Sequence, residues 1–531
     1  MTKDGTTIIV GAGLAGLTAA LELLDTGERI VLVDRDSPEA VGGLARLSFG
    51  GLFFANTPLQ ARHKITDSAD AAFADWCRFG ELTEGAEDAL PRAWAQAYCA
   101  DSAGLYHWLT GLGQKFMPVP LWVERDGNTV PRWHVCWGTG DGLVRTILRA
   151  LEAHPGRDRL TIRYGIRVDG LSTSGGAVTG ITGEDEATGT PVALDAARVV
   201  IATGGINGVD ALIREHWHKD WQPAPPVILT GAHQYGDGTM HRAAAGAGAQ
   251  VHRLDRNWNY AGGIHHWNPT KPNHGLSTVP ARSALWVNGQ GARIMPPMVS
   301  GFDTRDLFTQ LCRQPAGYGW QVMNRKIALK ELAVSGAEMN PAVRDHKMLS
   351  FAAQILFGNR WLYDTLTQNC VDVVVADDLP SLVNKMNALS VGGVEMREDT
   401  LRAALSAWDA EIAKGNGSSD PQMQALTTLR QWKADKLRLT RGVKVLDPKA
   451  GPLVAIRTFP IARKSLGGIV TDLASRVLTP QGDAIPGLYA VGEAAGFGGG
   501  NMNGIRGLEG TFLGGALYTA RRLGAAAREG A

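Results

Sequence analysis

Gly11-Ala12-Gly13-Leu14-Ala15-Gly16 is a GxGxxG loop, and Asp34 follows it at the distance of one helix and one strand. Those residue types in that order hold the pyrophosphate and ribose of a dinucleotide. The first glycine turns the chain sharply, the second lets a phosphate reach the backbone, and the third lets a helix pack close to a strand. The N–H groups that open the helix, with the positive end of its dipole, then face the phosphates. A carboxylate at Asp34 accepts hydrogen bonds from ribose hydroxyls. The loop alone does not separate a flavin dinucleotide from a nicotinamide one.

The elements that must position this loop are legible around it. Thr6 to Val10 (TTIIV) is a short β-branched run, and Leu17 to Leu24 reads as a helix. Thr26-Gly27 breaks that helix, and Ile30 to Val33 forms a second buried strand that delivers Asp34. A strand–loop–helix–strand–acid order is the context the fingerprint requires.

Composition narrows the class. A chain of 531 residues exceeds one ordinary core, and 44% apolar with 20% charged residues is globular. Lys+Arg number 53 and Asp+Glu 52, a net charge of +1, so no overall field favours nucleic acid or an anionic membrane. Cys77, Cys99, Cys136, Cys312 and Cys370 share no CxxC spacing and no haem signature, which reads as reduced thiols without a cluster. The start, Met1-Thr-Lys-Asp-Gly, shows no leader, and no run of about eighteen apolar residues occurs. A cytoplasmic protein with no nucleic-acid partner, no membrane insertion and no metal is expected. His265, His266 and His274 crowd Trp258, Tyr260 and Trp267 but lack compact metal-ligand spacing. They line a substrate pocket or simply pack.

Four more segments carry a family resemblance. Gly42-Gly43-Leu44-Ala45-Arg46-Leu47-Ser48-Phe49-Gly50-Gly51 is a second glycine-rich loop, and Arg198 to Gly205 (RVVIATGG) is a strand ending in ATGG. Gly236 to Met240 (GDGTM) precedes an alanine-rich helix, and Ile485 to Glu493 (IPGLYAVGE) lies near the C-terminus. Together they resemble the fumarate reductase/succinate dehydrogenase flavoprotein family, which contains the 3-ketosteroid dehydrogenases. Leu285 to Asn288 with Gly291 to Ile294 resembles that family's cap strand VNxxGxRF, with Ile for Phe, and Ala376 to Leu382 resembles its cap helix start. Gly263 to Pro269 and Gly496 to Gly500 are most similar in texture to bacterial FAD-binding dehydrogenases.

The resemblance implies an α/β fold: a Rossmann-like FAD-binding domain of glutathione-reductase type, split by an inserted α+β capping domain. The expected bounds are 1–268 with 446–531 for the first and 269–445 for the second. It implies FAD as cofactor, with Gly42, Gly43, Leu44, Ser48, Gly50 and Gly51 along the pyrophosphate and flavin. Arg35 stands beside Asp34. Val168 is implied at the adenine, Ala202, Thr203 and Gly204 at the adenosine, and Gly492 and Glu493 at the ribityl chain. Thr511, Phe512 and Leu513 open the last helix toward flavin N1 and C2=O, where a positive dipole end stabilises reduced flavin. Asp237 either holds its turn or touches flavin. Succinate dehydrogenase flavoproteins bind FAD covalently through a histidine whose counterpart here is Leu44, so noncovalent FAD is expected. The aromatic stretch at roughly 60–130 (Trp76, Trp94, Tyr98, Tyr106, Trp108, Trp122, Trp133) reads as core rather than as a ligand cage.

The family's acid is a cap-domain arginine in a Thr-Arg-Asp context, which implies Arg305 in Asp303-Thr304-Arg305-Asp306. Its clamp histidine corresponds to Lys464, and its clamp arginine to Arg506 within Asn503-Gly504-Ile505-Arg506-Gly507-Leu508-Glu509. Arg506 and Glu509 alternatively pair with each other. Flavin N5 exchanges hydride with carbon, so the expected enzyme is an FAD-dependent oxidoreductase acting on a C–C bond beside a carbonyl. Loss of the clamp histidine and the many tryptophans favour an apolar, ring-containing small-molecule substrate. A small unsaturated carboxylate is the rival, and a flavoprotein subunit needing an electron-transfer partner is another. The electron acceptor or donor is left open.

Overall fold

The computed structural model describes residues 5–530. The chain divides into two compact units. One comprises the residues through His216, Ala232–Trp258 and those from Lys464 onward; the other comprises Trp217–Gly231 and Asn259–Arg463. The second unit thus takes in more of the chain than the 269–445 insertion that the resemblance implies. The reason is covalent: the long strands Asn257–His265 and Leu453–Ser465 carry the chain into and out of it.

The first unit is built on a six-stranded sheet in the order Arg476–Leu478, Ala484–Ala490, Arg198–Ile201, Thr6–Val10, Arg29–Val33, Leu160–Arg163. All pairings are parallel except at the Arg476–Leu478 edge. Parallel strands are covered on both faces and so read as continuous apolar runs. Ile8, Ile9, Val199, Val200, Ile201 and Leu32 are all at most 1% exposed, as that rule requires. The helix Leu14–Leu24 packs against both Thr139–Glu152 and Thr511–Arg528 in this unit. A three-stranded antiparallel sheet, Ile166–Ser174, Ala177–Asp185 and Thr190–Asp195, is appended. This is the Rossmann-like FAD domain.

The second unit centres on an eight-stranded sheet. Its spine, Leu453–Ser465, pairs with Gly319–Asn324 up to Thr458 and with Leu229–Thr230 from Ile461. Pro460 falls between those two ladders, where a missing N–H removes no bond from either. Helices rich in Leu, Trp408 and Met386 fill the core behind it. Trp76, Trp94 and Tyr98 are at most 1% exposed, so that part of the aromatic stretch is core as expected. Among the described residues no helix is long and apolar enough to cross a membrane, and no group of three His, Cys, Asp or Glu is placed to hold a metal ion. The cysteines are free, and burial pushes the thiols of Cys99, Cys136 and Cys312 far up, leaving them protonated and unreactive.

Candidate functional site

The glycines of the first loop have different physical reasons. Gly11 has φ +107°, and a Cβ there would lie 2.5 Å from the carbonyl oxygen of Ala202. A Cβ on Gly16 would lie 1.9 Å from the Gly11 oxygen. Both are demanded by protein packing. At Gly13 an added Cβ would meet no protein atom within 4 Å. Gly13 is the N-cap of Leu14–Leu24, and no side chain caps that helix. The first-turn N–H groups of Leu14, Ala15 and Gly16 thus need acceptors from outside the chain, as a pyrophosphate supplies. Asp34 accepts from the Ala12 N–H in a short bond and from the Asp36 N–H at 2.7 Å. That fixes the carboxylate at the strand end.

The second loop crosses the first. The Gly42 N–H donates to Ala12 at 2.9 Å, and the Gly43 Cβ position is 3.5 Å from Gly13 Cα. Leu44 sits in the helix Gly43–Leu47, which Ser48 closes by donating to the Ala45 oxygen at 2.7 Å. Gly50 and Gly51 have internal reasons to be glycine. Their Cβ atoms would strike Thr139 at 2.4 Å and the Trp133 indole at 1.9 Å. Ala202 continues the strand by donating to Val10, and Gly204 turns at φ +77° with no protein atom within 4 Å of its Cβ position. Val168 lies in the strand whose first residue, Ile166, donates to the Asp34 oxygen at 3.0 Å.

Arg35 and Asp237 hold each other at 3.2 Å. Arg35 also pairs with Glu186 at 2.7 Å and stacks on Tyr235. Asp237 accepts from the Thr239 N–H at 2.9 Å, so it holds its turn. The Gly492 N–H donates to Thr519 at 2.8 Å, and its Cβ would strike Ala15 at 2.7 Å. Glu493 accepts from the Ser465 N–H at 2.9 Å.

Gly510, at φ +99°, opens the last helix, again without a side-chain cap. The Thr511 hydroxyl is 2.7 Å from two acceptors, Asn503 Oδ1 and the Leu508 carbonyl oxygen. Phe512 is 5% exposed, and Leu513 follows it in the same first turn. Lys464 Nζ lies 4.0 Å from the Phe512 ring centroid. Trp258 packs 6.3 Å from Phe512 and donates its indole N–H to Glu509 at 3.1 Å. Asn503 is fully buried, and its Nδ2 has no hydrogen-bond partner. A buried donor left unmade costs about 1–3 kcal/mol, which marks this helix start as a place for a polar guest. Uncapped helix starts, open glycine positions and an orphaned amide fit FAD.

The other catalytic candidates are engaged elsewhere. Arg506 forms a short ion pair with Glu81. Arg305 is 6% exposed, bonded to Asp220 at 2.9 Å and stacked 4.9 Å from the Trp221 centroid. It ties the segment 217–231 to the helix Thr304–Cys312 within the second unit. His265 pairs with buried Asp372 at 2.8 Å, and His266 stacks on His274 at 4.4 Å. Sequence reasoning missed one buried polar centre in the first unit. Arg132, 1% exposed, bonds Asp67 at 2.7 and 2.8 Å and Asp75 at 2.5 Å. No local pattern signals it, because the three residues lie on separate segments.

A parallel sheet with a GxGxxG turn, a crossing glycine loop and a second uncapped helix start defines a dinucleotide-binding protein. Residues 6–513 match the family model described as FAD binding domain, and the chain belongs to that family. It is an FAD-dependent oxidoreductase. A KsdD-like steroid dehydrogenase of Mycobacterium tuberculosis is 39% identical over all of this chain and 96% of that protein. Among solved structures, the open form of a flavocytochrome c3 fumarate reductase matches with TM-score 0.70 and 19% identity, covering 99% of this chain and 78% of that one. A 3-ketosteroid Δ1-dehydrogenase from Sterolibacterium denitrificans matches with TM-score 0.69 and 16% identity, covering 99% and 100%.

Proposed function

We propose that this protein desaturates a C–C bond beside a carbonyl in an apolar ring compound of the ketosteroid class, or reduces the alkene in reverse. The full-length similarity to a KsdD-like steroid dehydrogenase carries this reading. The glycines and helix starts described above would hold FAD noncovalently in the first unit, and the flavin, when bound, would supply the hydride chemistry. In desaturation the neighbouring carbon loses a proton to a base, and the double bond forms between the two carbons. The carbonyl oxygen gains negative charge as that proton leaves. Lys464, held over Phe512 beside the last helix, supplies the opposing cation. Arg305 and Arg506 are assigned here to positioning, through Asp220 and Glu81. An external electron acceptor closes the cycle.

Anaerobic mixing with a panel of 3-ketosteroids should bleach the visible flavin band. Bleaching by none of them, with reduced enzyme reoxidised by fumarate-like carboxylates instead, would overturn the reading in favour of a small-carboxylate reductase. Lys464→Ala should lower kcat/KM by ~100-fold, whereas Arg305→Ala should lower the thermal midpoint more than kcat. Unchanged kcat/KM in the first would remove Lys464 from the chemistry.

The cofactor's attachment has its own test. Leu44 offers no nucleophile, so acid precipitation should release the yellow colour into the supernatant. Colour retained on the washed pellet would show a covalent bond.

A further inference from the structure

The helix Met348–Phe357 (MLSFAAQILF), in the second unit, reverses the usual rule for surface helices. It carries no charged residue, and none of its residues is fully buried. Leu349, Ala352, Ala353, Leu356 and Phe357 recur at i, i+3, i+4, i+7 and i+8, the spacing of a face that normally turns inward. Here that face meets solvent: Leu349 is 88% exposed, Phe357 85% and Leu356 61%. Met348 is 53% exposed at the start of the helix, and Trp361, 43% exposed, opens the next helix, Arg360–Asn369. Single exposed apolar side chains are ordinary, but a continuous stripe on an uncharged helix is a contact surface.

The stripe is displayed on a tethered helix. Lys330 Nζ donates to the Ile355 and Leu356 oxygens at 2.6 and 3.4 Å, closing the C-terminal turn. Ten residues span roughly 15 Å, about half a bilayer's hydrocarbon core, so the helix is too short to cross one. Its rim is cationic. Lys347 and Arg360 flank it, and the adjacent helix Lys433–Arg438 adds Lys433, Lys436 and exposed Leu437. The nearby carboxylates are fewer and paired: Asp345 with Arg344 and Lys347, Asp364 with Arg360, Asp435 with Arg282. A chain of net charge +1 conceals this local excess. A second copy of the chain would set one cationic rim against another, whereas an anionic lipid surface complements it. An interfacial tryptophan suits the headgroup level.

We propose that Met348–Phe357 is a seat on an anionic lipid surface, its apolar stripe entering the headgroup–acyl boundary while the flanking cations meet lipid phosphates. Sedimentation of the purified holoenzyme with vesicles tests it, using phosphatidylcholine alone or with one quarter phosphatidylglycerol. The wild type should pellet with the anionic vesicles. Leu349→Glu/Phe357→Glu should pellet at least ~10-fold less, with FAD content and thermal midpoint retained. Lys347→Glu/Arg360→Glu should lose the preference for phosphatidylglycerol. The proposal fails if the wild type stays in solution, if it binds both vesicles equally, or if the leucine–phenylalanine variant still pellets. It also fails if that variant merely converts a wild-type dimer to a monomer, which would assign the stripe to a second copy.

Discussion

Gly13→Val should fold and fail to retain FAD. The two halves of that result have separate causes. A Cβ at Gly13 meets no protein atom within 4 Å, so the apoprotein tolerates the branch. The residue is nevertheless the uncapped N-cap of Leu14–Leu24, where a phosphate must approach the backbone. An isopropyl group there displaces the pyrophosphate from its N–H donors. Losing ~3 kcal/mol or more weakens binding by at least ~100-fold. Purified variant should be colourless, keep its secondary structure, and show no rise in thermal midpoint on adding FAD. Stoichiometric yellow protein would sink the assignment of this loop. Gly16→Val is the contrasting control. Its Cβ would lie 1.9 Å from the Gly11 oxygen, so that chain should misfold rather than merely lose colour.

Arg132→Met should unfold the first unit far more easily. Arg132 and Asp67 side chains are both 0% exposed and Asp75 is 6%, so removing the cation takes the ion partner from Asp67 and leaves Asp75 with only the half-exposed Arg78, at 3.0 Å. Breaking a buried pair in this way costs about 3–5 kcal/mol. Burial pushes the Asp75 carboxyl up, but hydrogen bonds from Arg132 and Thr129 outweigh it and hold the group below its usual range. A carboxyl with a lowered folded-state pKa stabilises the fold above its unfolded value, and that contribution disappears as pH falls through the folded value. The gap in thermal midpoint between wild type and Arg132→Met should therefore be widest near neutrality and narrow in acid, below pH ~4. A constant gap across that range, or a loss under ~1 kcal/mol, would mean the centre is not an ion triad in solution.

The candidate site was only partly legible. Gly50 and Gly51 lie in a cofactor-type loop, yet Thr139 and Trp133 are what exclude a side chain there. Arg305 matched a motif by local context, but its partner Asp220 lies on the 217–231 segment, which packs with the second unit. Arg506 likewise found Glu81, a residue whose distance in sequence hides the pairing. Motif matching reports residue type and order. It carries no information on which opposite charge will be nearest after folding.

What the sequence by itself determined is the part governed by short-range geometry. A tight turn, an uncapped helix start and a carboxylate at a strand end lie within Thr6 to Asp34, so local residue types suffice to specify a dinucleotide loop. The distant ATGG strand and Gly492-Glu493 extended this to FAD, because each is again a local turn abutting the same sheet. Tertiary structure alone decided the rest. It put Lys464 on Phe512, left Asn503 Nδ2 orphaned, buried Arg132 between two aspartates, and turned the apolar face of Met348–Phe357 outward. Each depends on contacts between segments far apart in the chain, where packing and burial, not sequence spacing, set the energy.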